Sequence, residues 1–339
     1  MARPRSRRST LARRAALLLF LLALAGSAWV AYRLRDYPSL EPYAKRMLDA
    51  PPRPGGVGLT FLGVSTLLIS DGETSILTDG FFTRPGLLRT ALREIEPDRE
   101  TIGRCLKRAG ITELAAVFVV HSHYDHAMDA PEVARRTGAL IVGSESTANV
   151  ARGAGIGPER IRVARSGEPM TFGRFRVTMI RSRHFPHGVA MGEIRAPLVP
   201  PVRATAYLEG GSYAVLIEHD RESLLVNASA GFLEGALAPY RAEVVLLGIV
   251  GLGTRDDAYR RAYWHETVEA VRARRVIPIH FDDFSLPLEE PLRPMPRLLD
   301  DFEGSMRFLL GHETDGVEVR MAPTWRAVDP FAGLAEVAK

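Results

Sequence analysis

FVVHSHYDHAMD, residues 118–129, places three histidines and two aspartates directly behind an apolar run. The run, AAVFVV over 115–120, reads as a buried strand ending at His121. His121 and His123 are two residues apart, so an extended backbone points both imidazoles to one side. Asp125 and His126 follow where the chain can turn back toward the same space. Burying this much polar chemistry without a cation is costly. Neutral imidazole and carboxylate are ligands that zinc takes in small open shells, and manganese and iron accept them too.

Working outward, further apolar runs end in residues of the same kind. SILT ends at Asp79, VTMIRSR at His184 and RRVIPI at His280. Strand ends are where a rigid sheet fixes geometry and an open edge admits ligand. His187, in RHFPHG, stands near enough to replace or assist His184. Asp282 and Asp283 follow His280 and suit either of two tasks, a bond to a ligating imidazole or a loop cap. His219 in a turn, His265 on a charged helix and His312 in a polar loop read as structural. Cys105 is the one cysteine, which excludes an internal disulfide and fits a packing role. GIVGLGTRDD, over 248–257, lacks the glycine spacing of a dinucleotide site.

The chain as a whole alternates short strands and helices. Strands are expected over 58–64, 66–71, 74–79, 115–120, 139–143, 175–182, 212–219, 223–229, 243–249 and 274–280. Asp71-Gly72 and His219-Asp220 mark hairpins. Helices are expected over 86–95, 101–109, 129–137, 145–152, 257–274 and 297–310, the third stopping at Gly138. Strands and helices mixed in this way imply sheet with helices on its outer faces. The Pro-rich segment 36–56 reads as a linker, and 57–339 as one domain.

Residues 1–35 form a distinct leader. They carry eight arginines and no acid, so the overall charge of +4, less these eight, leaves about −4 for the rest. A mildly acidic body is a poor partner for a phosphate backbone, and no nucleic acid is expected. Ala15 to Tyr32 is an uncharged run of 18 residues, near the minimum for spanning a bilayer. Ala23-Leu24-Ala25 offers a cleavage site for a signal peptide. The run continues through Trp29, which favours an uncleaved anchor. Six arginines before the run put the N-terminus in the cytoplasm and the body on the exported side.

The spacing His121-x-His123-x-Asp125-His126 resembles the signature of the metallo-β-lactamase-fold hydrolases. LTFLGVSTLLISDGETSILTDGFF, over 59–82, resembles the opening of their phospholipase-D-like and sugar-lactonase-like branch. The resemblance implies a four-layer αββα sandwich with two metal positions at one edge. His121, His123 and His184 would form one position, and Asp125, His126 and His280 the other. One or two zinc ions are the implied cofactor, with manganese or iron as alternatives. Asp125 would also orient the reactive hydroxide, and Asp79 would steady a ligand from behind.

One residue departs from the resembled pattern. Where such proteins carry a metal-bridging aspartate, LLVNASAG places Ser229, a neutral and weaker ligand. Metal-dependent hydrolysis of an ester, phosphodiester or related bond is the leading expectation. A metal-binding or scaffold protein with a degenerate site is the alternative. The apolar, Pro-rich segment 185–211 is expected to wall the groove, which together with the leader suggests an amphiphilic or lipid-like substrate.

Overall fold

The computed structural model describes residues 7–313 and 316–334, with side chains from residue 13 onward. Arg3 and Arg5 of the leader, and the last five residues of the expected domain, lie outside the described residues.

Two sheets carry the body. In the first, β1 (Gly58–Phe61), β2 (Leu67–Ser70) and β3 (Ser75–Thr78) form an antiparallel meander. Asp71 makes the hairpin between β2 and β3. Its carboxylate accepts from the backbone N–H of Glu73 at 3.0 Å and of Thr74 at 2.7 Å, and Gly72 takes φ +90°. β4 (Glu94–Ile95) stands outside this sheet. β5 (Ala116–Phe118), β6 (Leu140–Gly143) and β7 (Ile161–Val163) continue it from β3 in parallel. The second sheet mirrors the arrangement. β8 (Pro169–Phe172), β9 (Phe175–Ser182), β11 (Ser212–His219) and β12 (Glu222–Asn227) are antiparallel neighbours. β13 (Val244–Gly248), β14 (Arg275–Ile279) and β15 (Glu318–Val319) then run parallel to β12. The omitted β10 (Val202–Arg203) pairs with β4 instead.

Side-chain alternation glues these sheets face to face. On β5, Ala116 and Phe118 enter the core shared by both sheets, while Val117 packs outward. Outside the first sheet lie α3 (Arg99–Arg108), α5 (Ala130–Thr137) and α6 (Glu145–Gly153), which meet Val117 through Ile102, Cys105 and Val133. Outside the second lie α7 (Asp257–Trp264) and α8 (Phe302–Gly311), which bury Trp264, Phe302 and Met306. The order of layers is therefore αββα. Cys105 sits wholly buried, and burial pushes its thiol up to about 12, as a packing residue requires.

Several boundaries differ from expectation for local reasons. The expected helix 86–95 stops early as α2 (Leu87–Leu92), because the chain pairs as β4 with β10. α5 starts one residue later than expected, preceded by the single turn α4 (Tyr124–Ala127). Asp129 does not cap α5. Its carboxylate instead accepts from the backbone N–H of Phe82 at 2.8 Å and of Thr83 at 2.6 Å. The helix expected over 257–274 is α-helical to Trp264 and widens to a π-turn over His265–Glu269. α8 begins at Phe302, where the Asp301 carboxylate caps Gly304 N–H at 2.9 Å.

The 36–56 segment lies against the body rather than swinging free of it. Leu48 is buried, and Leu48 N–H donates to Met321 O at 2.9 Å. Arg53 pairs with Asp329 at 2.7 Å. The C-terminal segment in turn bridges to β1, Leu59 to Val328 and Phe61 to Thr324. The described residues of the leader form a helix, α1 (Arg7–Arg33). Its stretch Arg13–Arg33, 21 residues holding an 18-residue window of mean hydropathy 2.1, has no buried residue in that window and is long enough to cross a membrane.

Candidate metal centre

β3, β5, β9 and β14 all end at one edge of the sandwich, and the chain just beyond them converges. His121, His123 and His184 form one group whose ligand atoms lie within 4.8 Å of one another. Asp125, His126 and His280 form a second group within the same limit. The groups adjoin, since the His121 and His126 rings are 3.9 Å apart. His121 Nε2, His126 Nε2 and His280 Nδ1 are buried with no hydrogen-bond partner. Orphaned buried imidazole nitrogens are rare unless they serve a ligand, so the residues fit a divalent cation.

The segment beyond β5 is steered by its neighbours. Val120 N–H donates to Asp79 Oδ1 at 2.9 Å, and Ser122 N–H to Glu209 O at 2.8 Å. Ser122 turns away to bond Thr147 Oγ1 at 2.9 Å, which leaves His121 and His123 facing the same side, ring centroids 4.8 Å apart. α4 then folds Asp125 and His126 back over them, with His126 N–H donating to His123 O at 3.0 Å.

His123, His126 and His184 each have one nitrogen occupied by protein. Asp79 Oδ2 takes His126 Nδ1 at 2.8 Å, which fixes the tautomer and frees Nε2. His184 Nδ1 donates to Phe185 O at 2.8 Å, and His123 Nε2 to Ala190 O at 3.2 Å. His187 stands beside this group, its ring 4.6 Å from His184, with Nδ1 accepting from Val189 N–H at 2.9 Å.

Backbone strain accompanies the geometry. Asp79 takes φ +56° and His280 φ +50°, conformations that non-glycine residues rarely hold. The turn at Val64-Ser65 over-determines them. His280 N–H donates to Val64 O at 2.7 Å, Val64 N–H to Asp282 Oδ1 at 2.7 Å, and Ser65 Oγ to Asp79 Oδ2. Asp282 also pairs with Arg84 at 2.6 Å, both side chains fully buried. So Asp282 holds the turn that holds His280 and touches no imidazole. Asp283 caps Ser285 N–H at 2.9 Å. Ser65 and Arg84 were not singled out in the sequence.

Ser229 is turned to another use. Its Oγ accepts from Phe185 N–H at 2.7 Å, and it belongs to neither ligand group. Asn227 is likewise committed, donating to the Ser229 and Gly231 carbonyls at 2.9 and 3.1 Å. His219, His265 and His312 lie apart, bonded to Asp71, Glu269 and Phe308 O respectively.

The electrostatics of the groups differ. Burial holds His123 down at about 4 and His184 at about 3, and lowers His121 well below the usual range, aided by its histidine neighbours. These three stay neutral and keep lone pairs free. Burial opposes charge on His126, but Asp125 and Asp79 outweigh it and raise its pKa. Asp125 is held well below the carboxylate range by His126 and His280, against its own burial. The second group thus favours positive charge between its members.

The centre floors a cleft of about 460 Å³. Its walls are largely apolar, with Tyr124, Tyr207, Phe284 and Met295 among them. Phe185, His187, Val189 and Ala190 bring the 185–211 segment into the lining.

The chain is similar to known proteins in sequence and in fold. A profile described as a β-lactamase superfamily domain matches residues 74–197, from β3 past His184. A protein of Heliobacterium modesticaldum named a UPF0173 metal-dependent hydrolase is 25% identical over 252 residues, 73% of this chain and 91% of its own. A similarly named protein of Thermococcus kodakarensis is 26% identical over 246 residues, 72% and 93% of the two chains. The solved structure of a metallo hydrolase from Ignicoccus hospitalis superposes with TM-score 0.51 at 20% identity, covering 80% of this chain and 97% of that one. The chain therefore has the metallo-β-lactamase fold, and over most of its length it is similar to proteins named metal-dependent hydrolases.

Proposed function

We propose that this chain is a metal-dependent hydrolase that cleaves an ester, phosphodiester or related bond in an amphiphilic substrate. The observation that carries the reading is the set of three partnerless buried imidazole nitrogens within two adjoining ligand groups. His121, His123 and His184 would hold one cation, and Asp125, His126 and His280 a second. Zinc suits this donor set, and manganese or iron share its preferences. A bound divalent cation would lower the pKa of water toward about 7 and polarise the scissile group.

The chain's own residues do the rest. Asp79 and Ser65 lock His126 in one tautomer. Asp125, ionised and 3.4 Å from both His126 Nε2 and His280 Nε2, accepts a hydrogen bond from the attacking water and orients it. His187, with Nδ1 accepting, carries its neutral-form proton on Nε2 at the cleft wall and can donate a hydrogen bond from it to the substrate. The aromatic walls exclude bulk water and accept an apolar chain. The resemblance of residues 59–82 to the phospholipase-D-like branch favours a phosphodiester, α1 supports membrane attachment, and the arginines before its apolar run favour an exported body.

Metal analysis of the purified chain, with a screen of generic ester, thioester and phosphodiester substrates, tests the reading. Bound metal with turnover that Asp125→Ala abolishes is expected. Turnover that survives Asp125→Ala overturns the mechanism. Tightly bound metal without turnover on any class supports the second reading, a metal-binding scaffold, which the commitment of Ser229 to Phe185 favours.

A further inference from the structure

We propose that the mouth of this cleft rests on the surface of a lipid bilayer, so that substrate enters from the membrane. The idea builds on the hydrolase reading above and adds the place where substrate is met.

Three observations converge on one rim. The first is an apolar collar. Leu88 and Leu92 on α2 are 76% and 67% exposed, while Thr90 and Ala91 of the same short helix line the cleft. Val189 and Leu299, which line the cleft too, are 57% and 46% exposed. Single exposed apolar residues are ordinary, but a ring of them around a cleft marks a surface meant to be covered.

The second is the tether. α1 ends at Arg33, and Asp36, three residues on, is pinned to the body. Arg297 N–H donates to Asp36 O at 2.9 Å, and Arg297 Nη1 to Asp36 Oδ1 at 2.7 Å. Tyr37 OH donates to Asp283 Oδ2 at 3.1 Å. Arg297 lies between Met295 and Leu299, both lining the cleft. Three residues reach at most about 11 Å and two about 7 Å. The end of the exposed, membrane-length helix is thus held within about 20 Å of the cleft mouth. A helix that crosses a bilayer would place this rim, rather than the far end of the sandwich, at the membrane face.

The third is charge. Arg89 and Arg93, both exposed, alternate with the α2 leucines. Apolar side chains entering the headgroup layer beside cations that meet anionic lipid is the pattern of interfacial binding.

The committed occupant is the bilayer surface, and the test needs no turnover. The full chain is reconstituted in vesicles of phosphatidylcholine and phosphatidylglycerol containing doxyl-labelled lipid. A fluorophore is attached at Leu88→Cys, at Leu92→Cys or, as control, at Arg221→Cys. Cys105 is buried and does not compete. Arg221 lies in the β11–β12 turn, at the end of the sheet opposite the centre. Quenching several-fold stronger at 88 and 92 than at 221 is expected. Equal quenching at all three sites, or a chain that fails to float with vesicles, overturns the proposal whatever the metal and substrate assays show. In the unlabelled chain, vesicles should also slow amide exchange over 87–92. Leu88→Asp with Leu92→Asp should abolish that slowing while metal content stays the same, and slowing that persists in this pair also overturns the proposal.

Discussion

Ser229 Oγ and Phe185 N–H share a hydrogen bond of 2.7 Å. A serine standing where related sites hold a metal-bridging carboxylate thus positions the backbone beside His184 instead of reaching for a cation. Ser229→Ala should leave metal stoichiometry unchanged and lower stability by about 1 kcal/mol, because a partly buried N–H loses its acceptor. Ser229→Asp should tighten the second cation by adding the missing negative charge. Metal titration of both variants checks this, and a loss of metal in Ser229→Ala would show that the hydroxyl is a ligand after all.

Asp79 acts through His126. Asp79→Asn keeps an acceptor for Val120 N–H but no longer anchors the His126 Nδ1–H as a carboxylate does. Affinity for the cation held by Asp125, His126 and His280 should fall by about 10–100-fold. Competition with a chelator measures it. Unchanged affinity would confine Asp79 to shaping the turn after β3.

The Arg84–Asp282 pair is a stability element that the site depends on. Asp282→Ala strands a fully buried guanidinium and frees Val64 N–H, so unfolding free energy should drop by about 3–5 kcal/mol. Denaturant titration reads the loss. A drop below about 1 kcal/mol would mean that water reaches Arg84.

Stability of the metal-stripped protein should depend on pH with a defined sign. His123 and His184 have folded pKa values near 4 and 3, below the ordinary 6.5. The unfolded chain takes up protons below about pH 6.5 that the folded chain refuses. Their contribution is complete above 6.5 and is lost as pH falls toward 4 and 3. His126, whose pKa is raised, slopes the other way, but His121 adds to the first two. A net loss on the order of 5 kcal/mol between pH 7 and pH 4.5 is expected. Urea midpoints at these two values decide it, and a flat profile would show the imidazoles to be solvated.

The two clusters of candidate ligand residues were legible in the sequence because a metal site demands few residue types and these follow recognisable apolar strands. His121, His123 and Asp125 also sit close enough in sequence for strand periodicity to align them. Of the supports, Asp79 was legible at its strand end, whereas Ser65 and Arg84 sit in turns with no local signature, and Arg84 meets Asp282, 198 residues away, only when the fold closes. Asp129, at the expected start of the helix over 129–137, serves the Phe82-Thr83 backbone instead of a cap, a bond 46 residues away that no local pattern announces. The strands β7, β8 and β15 escaped notice because they are short and partly exposed, so their alternation is faint.

β1 is the outermost strand of the first sheet, and the 324–328 segment lies along it. An open strand edge is a template for pairing with another molecule. The C-terminal segment thus works as a shield against self-association, and the Leu48–Met321 contact holds it down from the other side. Proteolytic removal of residues beyond Met321 should leave the candidate metal edge intact while raising the protein's tendency to aggregate through β1.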